Sequence, residues 1–158
     1  VPGAILDWQW CSLDRLTTAQ LYAVFSAREA VFVLEQHCAY QELDGLDLDA
    51  MHLIAWGSEN HEVAAYLRVL APGVKYAEPA IGRVLTSQKF RNTGLGRTLV
   101  STGLDHVGKT YPGHAVRISA QAHLERFYRS LGFETASEPY LEDGIPHVEM
   151  LCNGHEIG

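Results

Sequence analysis

Residues 5–11 alternate apolar and polar positions loosely, which predicts a first strand. Thr17 or Thr18 then stands where a helix cap belongs, and Leu21, Val24, Phe25, Arg28, Phe32 and Leu34 follow near a 3.6-residue period. A first helix is expected there. Residues 41–50, QELDGLDLDA, break both periods and read as an acidic loop. Residues 52–57 and 63–70 are apolar, β-rich runs joined by SENHE, a bridge of hairpin length, so they predict an antiparallel pair. A further strand is expected over 80–86, after Pro79. From Gly94 to about Lys109 the apolar positions Leu95, Leu99, Val100, Leu104 and Val107 mark an amphipathic helix. A strand over 114–120, a short helix over 123–131 and a terminal pair of strands around 133–137 and 146–152 complete the pattern. An antiparallel start followed by strand, helix, strand and helix predicts an α/β fold, a mixed sheet with helices on its faces.

Length and composition narrow this picture. A chain of 158 residues suits one domain, and no repeat, low-complexity run or linker divides it. With 47% hydrophobic residues and three tryptophans, a packed core can offset the entropy lost on folding. The formal net charge of -7, from 19 acidic against 12 basic side chains, disfavours a nucleic-acid partner. Cys11, Cys38 and Cys152 are odd in number and widely spaced, fitting neither a disulfide framework nor a CxxC site, and they suggest reduced thiols in a cytoplasmic protein. No apolar run approaches the ~20 residues that span a bilayer, and residues 1–10 lack the order of a signal peptide. No membrane partner is expected.

The chemistry concentrates in IGRVLTSQKFRNTGLGRTLV, residues 81–100, where a strand runs through a glycine-containing loop into a helix. Gly94 and Gly96 remove Cβ atoms at the turn, so backbone N–H groups can converge at the positive end of a helix dipole. Such a site suits a phosphate or diphosphate, and Arg91 adds a forked cation that Arg97 can supplement. The P-loop pattern GxxxxGK[ST] is absent, and GxGxxG fails because Leu99 occupies its third glycine. The competing reading is an ordinary strand-to-helix connection capped by Asn92 or Thr93.

Arg91-Asn92-Thr93-Gly94-Leu95-Gly96 resembles the coenzyme A diphosphate loop of the GNAT acetyltransferases, and Phe127-Tyr128-Arg129-Ser130-Leu131-Gly132-Phe133 resembles their LYxxxGF motif. Residues 31–45, 81–84, 120–128 and 142–150 are also similar to the ElaA-type members of that family. The resemblance implies the acyl-CoA N-acyltransferase fold, a mixed, mostly antiparallel sheet in which two parallel strands splay apart. It further implies acetyl-CoA as co-substrate. Backbone groups of Val84, Leu85 and Thr86 would hold the pantetheine arm, and residues Arg91, Asn92, Thr93, Gly94, Leu95 and Gly96 the diphosphate. Gln121 stands where many members carry Asn, and its carboxamide suits the same arm.

Acetyl transfer to an amine requires a neutral nucleophile, a polarised thioester carbonyl and a proton donor for the departing thiolate. Tyr128 matches the family position of a phenol near sulfur and is the candidate general acid; as an adjacent aromatic pair, Phe127 and Tyr128 would serve packing alone. Glu35, at the end of an apolar run, is the first candidate for general base, against a solvated helix-end carboxylate. His123 and His147 come next. Glu42, Asp44, Asp47 and Asp49 are expected either to form an acidic rim for a cationic amine or to be solvated. No metal spacing is found among the eight histidines. No cysteine falls in either motif, which favours direct attack in a ternary complex, with Cys38 the only thiol that challenges it. The acceptor is left open between small amines, an antibiotic, and a protein N-terminus or lysine. The rivals are a non-catalytic acyl-CoA sensor and a nucleotide-binding module, and the exposed ends of a small mixed sheet suit a homodimer.

Overall fold

The computed structural model describes residues 5–59 and 61–153. The strands are β1 (Asp7–Ser12), β2 (Met51–Trp56), β3 (Val63–Leu70), β4 (Ala80–Thr86), β5 (Val116–Gln121), β6 (Phe133–Thr135), β7 (Tyr140–Glu142) and β8 (Ile145–Cys152). They make one sheet in the order β1-β2-β3-β4-β5-β8-β6, with β7 pairing an earlier stretch of β8 than β6 does. Every pairing is antiparallel except that of β4 with β5. The mixed sheet and flanking helices therefore match the acyl-CoA N-acyltransferase architecture expected from sequence.

All eight residues of β3 are buried, because helices cover both faces of the sheet. On one face α2 (Leu95–Thr110) packs Leu95, Leu99, Val100, Leu104 and Val107 against Leu53, Leu67 and Val69. On the other, α1 (Thr18–Arg28) brings Val24 to Ile54 and Tyr66. Thr17 caps α1 with a reciprocal box: its Oγ1 accepts from the Gln20 N–H, and its own N–H donates to the Gln20 side chain. After Arg28 the helix widens into a π-helical turn, Glu29–Glu35. That change of period explains a departure from expectation, for Phe32 remains buried while Leu34 turns out to solvent, 63% exposed. The third α-helix is short, α3 (Glu125–Arg129), preceded by a 3-10 turn. Among the described residues no helix is long and apolar enough to cross a membrane, and no disulfide links the cysteines.

The loop before β2 corrects the expected acidic rim. Glu42 and Asp47 are buried, not displayed. Both ion-pair at 2.6 Å with Arg28, a guanidinium with 0% exposure, and Arg68 bonds to Asp44 at 2.9 Å and Asp47 at 3.2 Å. Those arginines descend from α1 and β3, so the acids neutralise buried cations that would otherwise be prohibitive. Of the four carboxylates, Asp49 is left in solvent, and Asp44 is partly exposed yet paired. His52 sits beneath them, 2.6 Å from the Tyr66 hydroxyl through Nδ1 and 3.0 Å from the Asp47 carbonyl through Nε2. A carbonyl only accepts, so Nε2 carries the proton and Nδ1 accepts from Tyr66.

This network sets the acid stability of the fold. Burial raises the Asp44 carboxyl, but bonds and charge from Arg68 outweigh it and bring it down to about 2, and Asp47 is lowered in the same way by Arg28 and Arg68. A depressed carboxylate adds stability above its unfolded pKa of ~3.9 and loses it as pH falls toward the folded value. Melting temperature should therefore hold on acidification to about pH 4.5 and fall below about pH 4, and Asp44→Asn should flatten part of that fall. Differential scanning calorimetry across the series checks it.

Candidate active site

The sheet forks at its single parallel pairing. β4 and β5 pair only at Ala80 with Arg117 and Ile81 with Ile118. Beyond that point β4 continues with β3, and β5 continues with β8 as far as Gln121 opposite His147. The cause of the divergence lies in β4. Its register against β3 runs from Leu85 opposite Tyr66 to Gly82 opposite Arg68, so Arg83 and Val84 together face Leu67. That extra residue is a β-bulge, and Arg83 takes the left-handed conformation, φ 52°, at its first position. A bulged strand bends, and here the bend opens a cleft of about 710 Å3 in which main-chain groups of both strands lack a strand partner.

Val84, Leu85, Thr86, Arg91, Gln121, Tyr128 and Glu35 all line this cleft, so the structure brings these sequence candidates together. Leu85 has its side chain in the core, and only its backbone is offered to the cleft. The remaining candidates, Asn92, Thr93, Gly94, Leu95 and Gly96, continue the loop from Arg91 and are not themselves among the residues that line the cleft. Asn92 (φ 62°) and Gly94 (φ 81°) both turn left-handed, and Gly94 is the N-cap of α2 with no side-chain cap bond. Neither Asn92 nor Thr93 caps the helix, which corrects that competing expectation; the Thr93 hydroxyl instead donates to the Phe90 carbonyl at 2.7 Å. The first intrahelical bond is Thr98 N–H to Gly94 O, leaving the amides of Leu95, Gly96 and Arg97 without intrahelical partners. Leu95 anchors this turn by burying its side chain. A Cβ on Gly96 would stand 3.8 Å from Phe127 and 3.9 Å from Thr86, ordinary contacts that the fold itself accommodates. An uncapped helix start with a glycine at its second position fits the close approach of an anion such as a diphosphate.

Arg91 reaches across the loop. Its Nε donates to the Thr86 carbonyl at 3.0 Å, and its Nη2 donates to Glu35 Oε2 at 2.8 Å. The expected cation and the expected base are thus partners, both partly exposed. Arg97 is tied to Ser130 Oγ at 2.6 Å, bracing α2 against the end of α3 rather than standing free beside Arg91.

Tyr128 projects from α3, 6% exposed, with its ring edge-on to Phe127 and Phe133 at 5.1 and 5.7 Å. Burial alone pushes its phenol up to about 12, so the hydroxyl is protonated throughout the neutral range and can only donate when a thiolate or other anion faces it. His123 and His147 also line the cleft. The His147 Nδ1 lies 2.7 Å from the Ile145 carbonyl, and its Nε2 is 3.4 Å from Glu142, so both ring nitrogens have structural neighbours.

Several lining residues carried no sequence assignment. Tyr40, Lys75, Arg83 and Ser119 face the same space, as does Asp143 at the tip of the β7–β8 hairpin. That hairpin turns through Asp143 (φ 51°) and Gly144 (φ 77°), a type I′ pattern announced by the Asp-Gly pair in the sequence. Cys38 also lines the cleft, buried, with Sγ near the Gln36 and Asp143 carbonyls. Among the described residues no group of three or more His, Cys, Asp or Glu side chains is arranged to hold a metal ion.

Known proteins resemble this one along nearly the whole chain. Residues 20–153 match the family described as "Acetyltransferase (GNAT) domain". The protein ElaA of Escherichia coli is 41% identical over 148 residues, which cover 92% of this chain and 95% of that protein. Its crystal structure superposes with a TM-score of 0.87 over 94% of this chain and 100% of that one. An acyl-CoA N-acyltransferase from Pseudomonas aeruginosa, 43% identical, superposes with a TM-score of 0.88 over 94% of this chain and 99% of that one. A sheet forked at its parallel pair, an uncapped glycine start to α2 and this extent of shared sequence make the chain an ElaA-like member of the GNAT acetyltransferase family.

Proposed function

We propose that the protein moves the acetyl group of acetyl-CoA to a primary amine, on a small molecule or a protein, by direct attack in a ternary complex. The carrying observation is that Tyr128 and Arg91, the residue that opens the loop into the uncapped start of α2, line one and the same cleft. The diphosphate sits at the α2 N-terminus with Arg91 beside it. The pantetheine arm enters the fork, where its amides meet the main-chain groups that β4 and β5 do not offer each other, helped by the Gln121 carboxamide. The bulge turns a β4 amide toward the thioester carbonyl, as an oxyanion hole does.

The amine nitrogen attacks the carbonyl carbon, and the C–S bond then breaks. Glu35 accepts the proton that the nitrogen must shed, and Tyr128 donates a hydrogen bond to the departing sulfur. A phenol near 12 is far above a thiol's ~8.5, so complete transfer of its proton to a thiolate is uphill. Tyr128 therefore acts by donation in the transition state, and the proton shed by nitrogen finally replaces the lost bond on sulfur. Arg91 must exchange its Glu35 contact for the diphosphate, which frees the carboxylate for the amine. Such an exposed pair contributes ~1 kcal/mol or less, so a diphosphate readily displaces it.

Two measurements test the reading. Calorimetry with coenzyme A, ATP and NAD should give tightest binding to coenzyme A; a preference for ATP or NAD would point to a nucleotide module. Thiol release from acetyl-CoA over a panel of amines should show turnover, and binding without turnover on any amine would reduce the protein to a sensor.

A further inference from the structure

Arg83 is an unexpected occupant of its position. The first residue of such a bulge is commonly glycine, because a side chain is disfavoured in the left-handed region. Here an arginine holds φ 52°, and its side chain is gripped by one loop. Its Nη2 donates to the Glu42 carbonyl at 3.1 Å and to Asp44 Oδ2 at 3.2 Å. Its Nε lies 2.7 Å from Glu42 Oε1, a charge contact without hydrogen-bond alignment. Glu42 is in turn fixed at 2.6 Å by the fully buried Arg28, and Asp44 by Arg68. A continuous relay of opposite charges thus runs from α1 through the 41–47 loop to the bulge that opens the cleft.

We infer that Glu42 is a positioning residue for the transfer reaction: by clamping the Arg83 side chain it keeps residue 83 left-handed, and so keeps the amide of Val84 aimed at the thioester carbonyl. The inference rests on the reading of the cleft as an acyl-CoA site. It differs from a merely structural role for Glu42 in one respect. Glycine adopts the left-handed conformation without a clamp, so in an Arg83→Gly background the contribution of Glu42 to the rate should vanish, while its contribution to stability through Arg28 should persist.

The test is a double-mutant cycle read in kcat, in calorimetric affinity for coenzyme A and in melting temperature. Glu42→Gln alone should lower kcat roughly tenfold or more with coenzyme affinity unchanged within about twofold. In the Arg83→Gly background the same change should cost less than about twofold in kcat, while a fall in melting temperature should persist through the Arg28 pair, smaller only by the lost contact with Arg83. Arg83→Gly should also outperform Arg83→Ala in kcat, since both lose the side chain and only one regains the backbone freedom. Should Glu42→Gln prevent folding, Asp44→Asn loosens the same guanidinium and leaves the Arg28 pairs intact, with the same pattern expected at smaller size. Equal losses from Glu42→Gln in both backgrounds, or equal rates for Arg83→Gly and Arg83→Ala, overturn the inference. If coenzyme A does not bind the native protein, the acyl-CoA reading itself fails; if it binds and turns over while the cycle is additive, only the positioning role fails.

Discussion

Tyr128→Phe is expected to lower kcat by about 10²–10³-fold while leaving affinity for coenzyme A nearly unchanged. The ring stays in place, because its edge contacts with Phe127 and Phe133 do not involve the hydroxyl. What disappears is one preorganised donor facing developing charge on sulfur, and losing such a donor in a water-excluded site costs ~3–4 kcal/mol of transition-state stabilisation. The pH profile gives a second signature. A donor is lost only when it ionises, and burial holds this phenol at about 12, so activity that depends on it falls only as pH rises toward that value. Between about pH 7 and 10 the native rate should show no decline from Tyr128, and the Phe variant should run parallel at a lower level. Steady-state kinetics with binding by calorimetry would check both parts. A variant rate within about threefold of native would leave Tyr128 as a packing residue.

The coenzyme loop should respond in the opposite manner, in binding. Arg91→Ala is expected to weaken coenzyme A by about 10–100-fold through loss of the forked cation beside the diphosphate. Gly96→Ala should weaken it by about tenfold and yet leave melting temperature unchanged or higher, since alanine is a better helix former by ~1 kcal/mol. The fold has room for that methyl group, 3.8 Å from Phe127, so only an approaching ligand gives glycine an advantage there. If Gly96→Ala binds coenzyme A as tightly as the native protein, the diphosphate does not approach this amide.

Features set by local chemistry were legible in the sequence, and those set by distant partners were not. Gly94 and Gly96 announce a tight turn into a helix start because few residues can turn a chain that way, and the helix does begin at Leu95 with Gly94 as its cap. The amphipathic stripe of Leu99, Val100, Leu104 and Val107 likewise fixes which face of α2 meets the sheet. The acidic loop resisted reading because Arg28, Arg68 and Arg83, its partners, come from α1, β3 and β4, and charge in a loop segment ordinarily means solvation. The bulge at Arg83 was equally silent, since a left-handed arginine is stabilised by tertiary contacts that leave no local mark. β7 was missed for another reason, as a three-residue strand shows no period, although Asp143-Gly144 signalled the turn beside it. The Glu35–Arg91 pair joins segments 56 residues apart and could emerge only from the folded chain.

The central claim, that one forked cleft carries a coenzyme from the α2 N-terminus to Tyr128, is tested most directly by a crystal structure of the protein with coenzyme A bound. The account predicts diphosphate oxygens on the amides of residues 92–97 and sulfur within about 3.5 Å of the Tyr128 hydroxyl. Coenzyme A lying outside the gap between β4 and β5, or sulfur directed away from Tyr128, would contradict it.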